Sequence, residues 1–583
     1  MKTKKILASI GIVSAAALSL VACGNKSNSD SGASDAKKFK ETTPVKAVKK
    51  GGTLSYAVET DTPFTGIFNN ELSTSNTDTE VMQFGNESLF DTDDSYKINN
   101  KGAATFKLDR KAKTVTVEVK KGVKWSDGKQ VNAKDLEYEY EIMANKGTAS
   151  QRYTGSLQNI VGLKEYHDGK AKTISGIDMP DGENGRKIVI HFKEMKPGML
   201  QSGNGYFLES ASPYHYLKDV PFNKLQSSDK IRKKPLFFGP YKLSKIVRGQ
   251  SATWVPNKYY WRGTPKLDKI TASVVNPNSA SQAIKSHKFD IADVVNSQWD
   301  QVKDTKNVNF VAKIPLSYSY MGFKVGKWKN GENVENPKAK MNNKSLRQAM
   351  AYAMNIDAVE KRYTHGLTFR IPTLIPAQFN NYFDKDVKGY PYNLKKANQL
   401  LDKAGYKKKG KWRVQPNGKP LVIHLAAMTG NSTQEPIIQN YIQQWHKIGL
   451  NVKLTGGRLI EFNSFYDKVQ NDDPSVDVFM GAWSLSSEPS PQDLYSAKAP
   501  FNFSRFNTKE NTKLINDIDS EKAFNNNYRI NAFHKWQKYM DDQAYVVPMT
   551  NQYSISAVNS KISNYSLKPS DANSVWYKVG YAK

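Results

Sequence analysis

Pro436-Ile437-Ile438-Gln439-Asn440-Tyr441-Ile442-Gln443-Gln444-Trp445-His446-Lys447-Ile448-Gly449-Leu450-Asn451-Val452-Lys453-Leu454 passes from one backbone period to another. Pro436 suits a first helical turn, where its missing N–H costs nothing. Ile437, Ile438, Tyr441, Ile442, Trp445 and Ile448 then recur at 3.6-residue spacing, and Gly449 ends the run. Leu450–Leu454 alternates apolar and polar, as a half-buried strand does. A helix feeding directly into a strand is the unit of an α/β fold. The same punctuation recurs upstream. Asn393 caps a predicted helix with Leu394, Ala397, Leu400, Leu401 and Ala404 on one face, closed by Gly405. Leu346, Ala349, Met350, Ala353 and Met354 form a third stripe. Thr114–Val119 and Lys187–Phe192 read as strands. No internal repeat is visible. These stripes predict a large α/β protein whose lobes pack helices on sheets.

The chain has 583 residues and a formal charge of +30. It opens with Lys2, Lys4 and Lys5, followed by an uncharged apolar run from Ile6 to Ala22 that ends in Leu20-Val21-Ala22-Cys23. A positive head, an apolar run and a small-residue exit describe an export signal. The run is 17 residues, short of the roughly 20 that a membrane span needs. Leu-Val-Ala-Cys resembles the lipobox of bacterial lipoproteins, which implies cleavage after residue 22, lipidation of Cys23 and anchorage at the outer face of the cell membrane. Cys23 is the only cysteine, so no intrachain disulfide forms. Residues 23–50 contain almost no large apolar side chain and are predicted to be a flexible tether. About 530 residues remain, more than one core supports. Losing the three leader lysines takes the charge from +30 to +27. The positives are spread in short clusters with no zinc-finger or RNA-recognition signature, so a solvated surface is expected and no nucleic-acid partner is implied.

No catalytic signature is present. The eight histidines are scattered without a His-Glu-x-x-His pair, and neither a Gly-x-Ser-x-Gly elbow nor a phosphate-binding Gly-x-x-x-x-Gly-Lys-Ser/Thr loop occurs. One cysteine excludes a cysteine metal site. The reading is of a non-enzyme without cofactor or metal. Thirty tyrosines and ten tryptophans suit a binding cleft, since they give contact area at low entropic cost.

Several segments resemble, in order, the peptide-binding proteins of ABC importers. Lys124-Trp125-Ser126-Asp127-Gly128-Lys129-Gln130-Val131-Asn132-Ala133-Lys134-Asp135 is similar to that family's Trp-Ser-Asp-Gly-x-x-Val-x-Ala-x-Asp element. Gly239-Pro240-Tyr241-Lys242-Leu243, Asn257-Lys258-Tyr259-Tyr260-Trp261 and Lys285 to Ile291 follow. Arg347 to Met354, Ala397 to Gly405 and Lys447 to Val452 complete the series.

The resemblance implies an α/β two-lobed clamp of the periplasmic-binding-protein type (type II, large class), with a subdomain inserted in the first lobe. Lobe I would be 51–315 plus 551–583, with an insertion at about 85–225, and lobe II would be 316–550. The hinge would lie near Pro315 to Phe323 and Val546 to Tyr553. A monomer would close on an extended oligopeptide and deliver it to a permease and its ATPase. Main-chain hydrogen bonds of the strand-addition kind would give sequence-tolerant affinity. Gly481-Ala482-Trp483 resembles the family's Gly-Trp element, so Trp483 and Ala482 are expected in the cleft. The carboxylate that holds the peptide's amino group in well-known members falls at Ser486 here, with Glu488 and Asp493 as substitutes. The arginine that meets the carboxylate of short peptides is replaced by Met480. Such a chain would not measure length by gripping both ends, and would accept longer peptides. Tyr153, Tyr318, Tyr320, Asn69, Asn70 and Glu71 are further candidate contacts.

Three other readings stay open on the sequence. They are a cell-wall-interacting adhesin drawn by the +27 charge, a family member that binds a non-peptide solute, and an exported hydrolase of unseen mechanism.

Overall fold

The computed structural model describes residues 39–583 except 61, 62, 149 and 151. The export signal, Cys23 and the first part of the tether lie outside the described residues. Lobe I begins with β1 (Thr53–Glu59) and α1 (Asn76–Met82). The chain then builds a separate four-stranded sheet from β2 (Ala104–Asp109), β3 (Thr114–Val119), β4 (Ile177–Asp178) and β5 (Lys187–His191), with α2 (Ala133–Ala144) packed on it. It returns through β6 (Tyr241–Val247), β7 (Ser251–Pro256), β8 (Lys269–Val275), β9 (Ile291–Val294) and β10 (Val308–Lys313). Lobe II follows, with β11 (Ser317–Phe323), α3 (Lys344–Tyr352), β12 (Thr368–Arg370), α4 (Leu394–Lys403), β13 (Val422–Ala427), α5 (Gln434–Lys447), β14 (Asn451–Leu454), β15 (Val478–Ser484), α6 (Asn526–Gln543) and β16 (Val546–Gln552). The next strand, β17 (Ser554–Asn559), is back in lobe I.

The lobe I sheet runs β10-β17-β9-β1-β8-β7-β6, and the lobe II sheet β12-β16-β11-β15-β13-β14. Alternation along β1 sends Leu54, Tyr56 and Val58 into one apolar cluster and Ala57 into another across the sheet. In lobe II, α5 buries Ile438, Tyr441, Ile442 and Trp445, the stripe read from its period. The Trp445 indole donates to the Met350 carbonyl on α3 at 2.8 Å, tying two of the stripes together.

The Trp-Ser-Asp-Gly segment staples the inserted subdomain. Gly128 turns with φ +97°, where a side chain would be strained and would strike the Tyr259 ring. Asp135, fully buried, closes a capping box with Asn132 at the start of α2. Its carboxylate also accepts from the Trp125 indole at 2.8 Å and from the Tyr214 backbone at 2.8 Å.

One boundary read from composition is corrected. Residues 39–50 are not tether but are docked on lobe I. Thr43 is buried and its N–H donates to the Tyr565 carbonyl at 2.9 Å. The Lys49 N–H donates to the Tyr581 carbonyl at 2.7 Å, and the Phe39 ring packs on Trp299. Backbone pairing with the C-terminal segment holds these residues, and backbone pairing leaves little trace in hydrophobicity.

Two outcomes follow from this packing. Asp135→Ala strands a buried indole N–H and two backbone donors, so α2 should lose about 2–4 kcal/mol of local stability, measured by native-state hydrogen exchange. The second concerns two half-buried acids, Glu59 at the end of β1 and Glu80 on α1. Burial, then Asp293 and Glu80, push Glu59 up to about 9, and burial and Asp293 push Glu80 up to about 8. Folded values above unfolded ones mean that the folded chain holds extra protons. Their stabilisation is complete in acid, declines above the ordinary carboxylate range and is gone once pH passes about 8 to 9. The melting temperature should therefore fall between pH 6 and pH 9, and Glu59→Gln with Glu80→Gln should flatten that fall.

Candidate functional site

The lobes face each other across a cavity of about 280 Å³. Its floor is built from two adjacent strands of lobe II. β11 and β15 pair antiparallel, with Tyr318 opposite Trp483 and Tyr320 opposite Gly481. A Cβ at Gly481 would press on the Tyr320 hydroxyl at 3.1 Å and on its ring at 3.2 Å, so glycine leaves room for that side chain. Tyr320 stacks parallel to Trp483 with centroids 6.0 Å apart. Phe503 stacks near Trp483 at 5.5 Å and Phe501 meets it edge-on at 5.6 Å. The Tyr318 and Tyr495 hydroxyls share a hydrogen bond of 2.7 Å. Each ring is held by the next, which makes a rigid apolar floor.

Beyond Ser484 the chain leaves the sheet for a proline-bounded loop that carries the charged groups. Ser486 lines the cavity and its hydroxyl donates to the Glu488 carbonyl at 2.9 Å. Glu488 is buried and meets Arg529 of α6 with both oxygens, at 2.5 and 3.3 Å. Arg529 also lies 3.5 Å from Asp519. Burial pushes the Asp519 carboxyl up to about 6, with Arg529 opposing and Glu488 adding to the shift. One guanidinium thus compensates two carboxylates. Asp493 is placed differently. It lines the cavity, accepts from the Ser156 hydroxyl of the inserted subdomain at 3.2 Å, and pairs with no cation among the described residues. Although the residue is exposed to solvent, the protein packed around it partly desolvates its carboxyl and pushes it up, and the Ser156 hydrogen bond partly offsets this.

The inserted subdomain supplies the opposite wall through Ser156, Asn204 and Tyr206. Leu374, Ile375 and Phe379 add apolar surface from lobe II. Of the residues named from sequence, Trp483, Tyr318, Ser486, Glu488 and Asp493 come together here. Tyr320 lies behind Trp483, within the lobe II core. Ala482 does not line the cavity, and its carbonyl accepts from the Tyr466 hydroxyl. Tyr153 stacks on His167 at 3.8 Å within the subdomain.

Asn69, Asn70 and Glu71 also lie away from the cavity. The Asn69 side chain folds back to accept from the Glu71 and Leu72 N–H groups and donates to Ser212. Asn70 and Asn86 exchange amide hydrogen bonds. Burial and the adjacent Glu139 push Glu71 up to about 8. Asn69, Asn70 and Glu139 edge a separate hollow of about 20 Å³. Met480 sits in the lobe II core opposite Met321. Among the described residues, no group of three or more His, Cys, Asp or Glu side chains is arranged to hold a metal. Arg529, Tyr206 and Asn204 were not legible in sequence. Tyr206 and Asn204 reach the cavity, and Arg529 the Glu488 carboxylate beside it, from elements distant in the chain, and no local pattern marks them.

The chain matches the model of the bacterial extracellular solute-binding proteins, family 5 (middle), over residues 97–505. It is 45% identical over 503 residues to the oligopeptide-binding protein OppA of Lactococcus lactis subsp. lactis, spanning 85% of this chain and 84% of that one. The lactococcal OppA structure, complexed with an endogenous peptide in the closed conformation, superposes with a TM-score of 0.82 at 44% identity, covering 91% of this chain and all of that one. AppA of Bacillus subtilis, solved with a nonapeptide, shares the fold with a TM-score of 0.69 at 22% identity, covering 92% of this chain and 100% of the other. The two-lobed clamp and these likenesses agree: the chain belongs to the family 5 bacterial extracellular solute-binding proteins.

Proposed function

We propose that this protein captures extended oligopeptides outside the cell and hands them to an ABC permease and its ATPase, while Cys23 carries the lipid that keeps it at the membrane. The observation that carries the reading is the pairing of a rigid aromatic floor with one uncompensated carboxylate in the same inter-lobe cavity. The floor offers Trp483, Tyr318 and Phe501 to apolar side chains, which rewards contact area over identity. Asp493 is the group poised for a cation, because Glu488 is already spent on Arg529. A peptide's α-ammonium or a basic side chain would satisfy it with a charge-assisted hydrogen bond. No cation occupies position 480 to fix the carboxyl end, so the peptide is held at one end and along its length. The lactococcal relative closed on an endogenous peptide supports the same ligand class.

Thermal-shift and calorimetric titration with peptide pools of about 2 to 12 residues tests this, with sugars and metal complexes as controls. A ligand specific to the folded state raises the melting temperature with concentration. Peptides alone should do so, and affinity should persist beyond four residues. Asp493→Asn should weaken binding by about 10- to 100-fold, the range for losing a hydrogen bond to a charged group, and acetylating the peptide's amino terminus should reproduce that loss. Affinity that collapses beyond tri- or tetrapeptides would refute the open-ended grip. Absence of any peptide shift would refute the ligand class.

A further inference from the structure

Outside the cavity, lobe II sends a single aromatic ring into the inserted subdomain. Phe524 ends a short turn, Glu521–Phe524, that leads into α6 and belongs to lobe II by its neighbours. Its ring nevertheless packs against the subdomain's apolar cluster. Arg110, on the hairpin turn between β2 and β3, covers that ring with its guanidinium carbon 4.1 Å from the centroid. The same guanidinium pairs with the Glu521 carboxylate. Both turns are locally built to present these groups. The Asp109 carboxylate accepts from the Lys111 and Ala112 N–H groups at 2.9 and 3.0 Å and so shapes the hairpin. Asn525 caps α6 by accepting from the Tyr528 N–H.

None of Arg110, Glu521 and Phe524 lines the ligand cavity. Their contacts join the two lobes directly, so they report on lobe separation and not on ligand identity. Opening the clamp would pull Phe524 out of the subdomain, uncover its ring and break the ion pair. We infer that Phe524, Arg110 and Glu521 form a closure latch, which sets how long the clamp stays shut whatever it holds. The two charged side chains keep 48% and 67% of their exposure, so the ion pair is weak and salt-sensitive. The apolar insertion and the cation–π contact carry more of the effect. The latch biases the open–closed equilibrium, and a ligand adds its own preference for the closed form.

The inference rests on the reading that closure encloses peptide, and the test separates the two. The full chain with Cys23→Ser has no cysteine, so Lys172→Cys on the subdomain and Lys509→Cys on lobe II can carry a dye pair for single-molecule energy transfer. Closed-state dwell times are recorded with and without a peptide pool. Arg110→Ala should shorten the dwell about 3- to 30-fold, and Phe524→Ala by about tenfold or more. Glu521→Gln should act more weakly and only at low salt. The charge exchange Arg110→Glu with Glu521→Arg should recover most of the dwell that Arg110→Glu alone loses, which a merely structural role would not do. Dwell times unchanged in both Arg110→Ala and Phe524→Ala, with or without peptide, would overturn the latch. A wild-type dwell that peptide does not lengthen would count against peptide enclosure, while the comparison of unliganded variants would still decide the latch.

Discussion

Lobe I is completed by a strand that arrives after lobe II has been built. β17 lies between β9 and β10, pairing antiparallel with Ile291–Val294 on one side and with Val308–Lys313 on the other. Its residues follow β10 by more than 240 positions. The pairing forces two crossings to run side by side, from β10 into β11 and from β16 into β17. The Asn551 amide spans them by donating to the Pro315 carbonyl at 3.3 Å. Two short adjacent connections permit bending and resist twisting, which is what hinge closure requires. The placement also makes the fold rich in long-range contacts, whose closure entropy must be met before they stabilise anything.

Charge at the site is divided by burial. Glu488, Asp519 and Arg529 are all buried in the closed clamp. A buried pair stripped of one partner is costly, whereas the intact set is close to neutral in its net effect. Arg529 therefore serves the stability of the closed wall, and it removes Glu488 from the inventory of groups that can recognise a ligand. Among the described residues Asp493 has only a hydroxyl partner and is exposed to solvent where it lines the cavity, and a carboxylate so placed attracts a cation. The net positive charge spread over the outer surface does not compensate it, because surface charges beyond a Debye length are screened.

How much of this was legible in the sequence varies with how local the cause is. The helix–strand unit of residues 436–454 was readable, since its period, its proline and its glycine all act within one turn. The importance of Trp125 and Asp135 was visible as a motif. Its physics, an indole donating to a capping carboxylate, needs the three-dimensional approach of residue 214 as well. Asn69 and Glu71 were misplaced because a polar turn after a first strand looks the same whether its side chains face a ligand or cap their own backbone. Residues 39–50 were misread because composition detects apolar burial, not backbone pairing with Tyr565 and Tyr581. Arg529 lies 41 residues beyond Glu488, and nothing within either segment announces the other.

The closed form is bounded by backbone as well as by attraction. Gly198 of the inserted subdomain lies over the Glu488 carboxylate so closely that a Cβ there would come within 2.7 Å of the carboxyl carbon. Gly203 stands similarly over the Ser487 hydroxyl, where a Cβ would sit 3.0 Å away. At these two points the subdomain meets lobe II without a side chain between them, and the approach stops where main chain meets carboxylate. Any larger residue at 198 would hold the lobes apart and admit water to the Glu488–Arg529 pair, weakening it at the point where it depends on burial. Closure thus has a fixed depth set by glycine, while its duration is a separate quantity set by contacts at the rim. A clamp that takes varied peptides and later releases them needs that separation. A fixed depth keeps the aromatic floor and Asp493 in one geometry for every ligand, and weak, exposed rim contacts let the lobes part again without disturbing it.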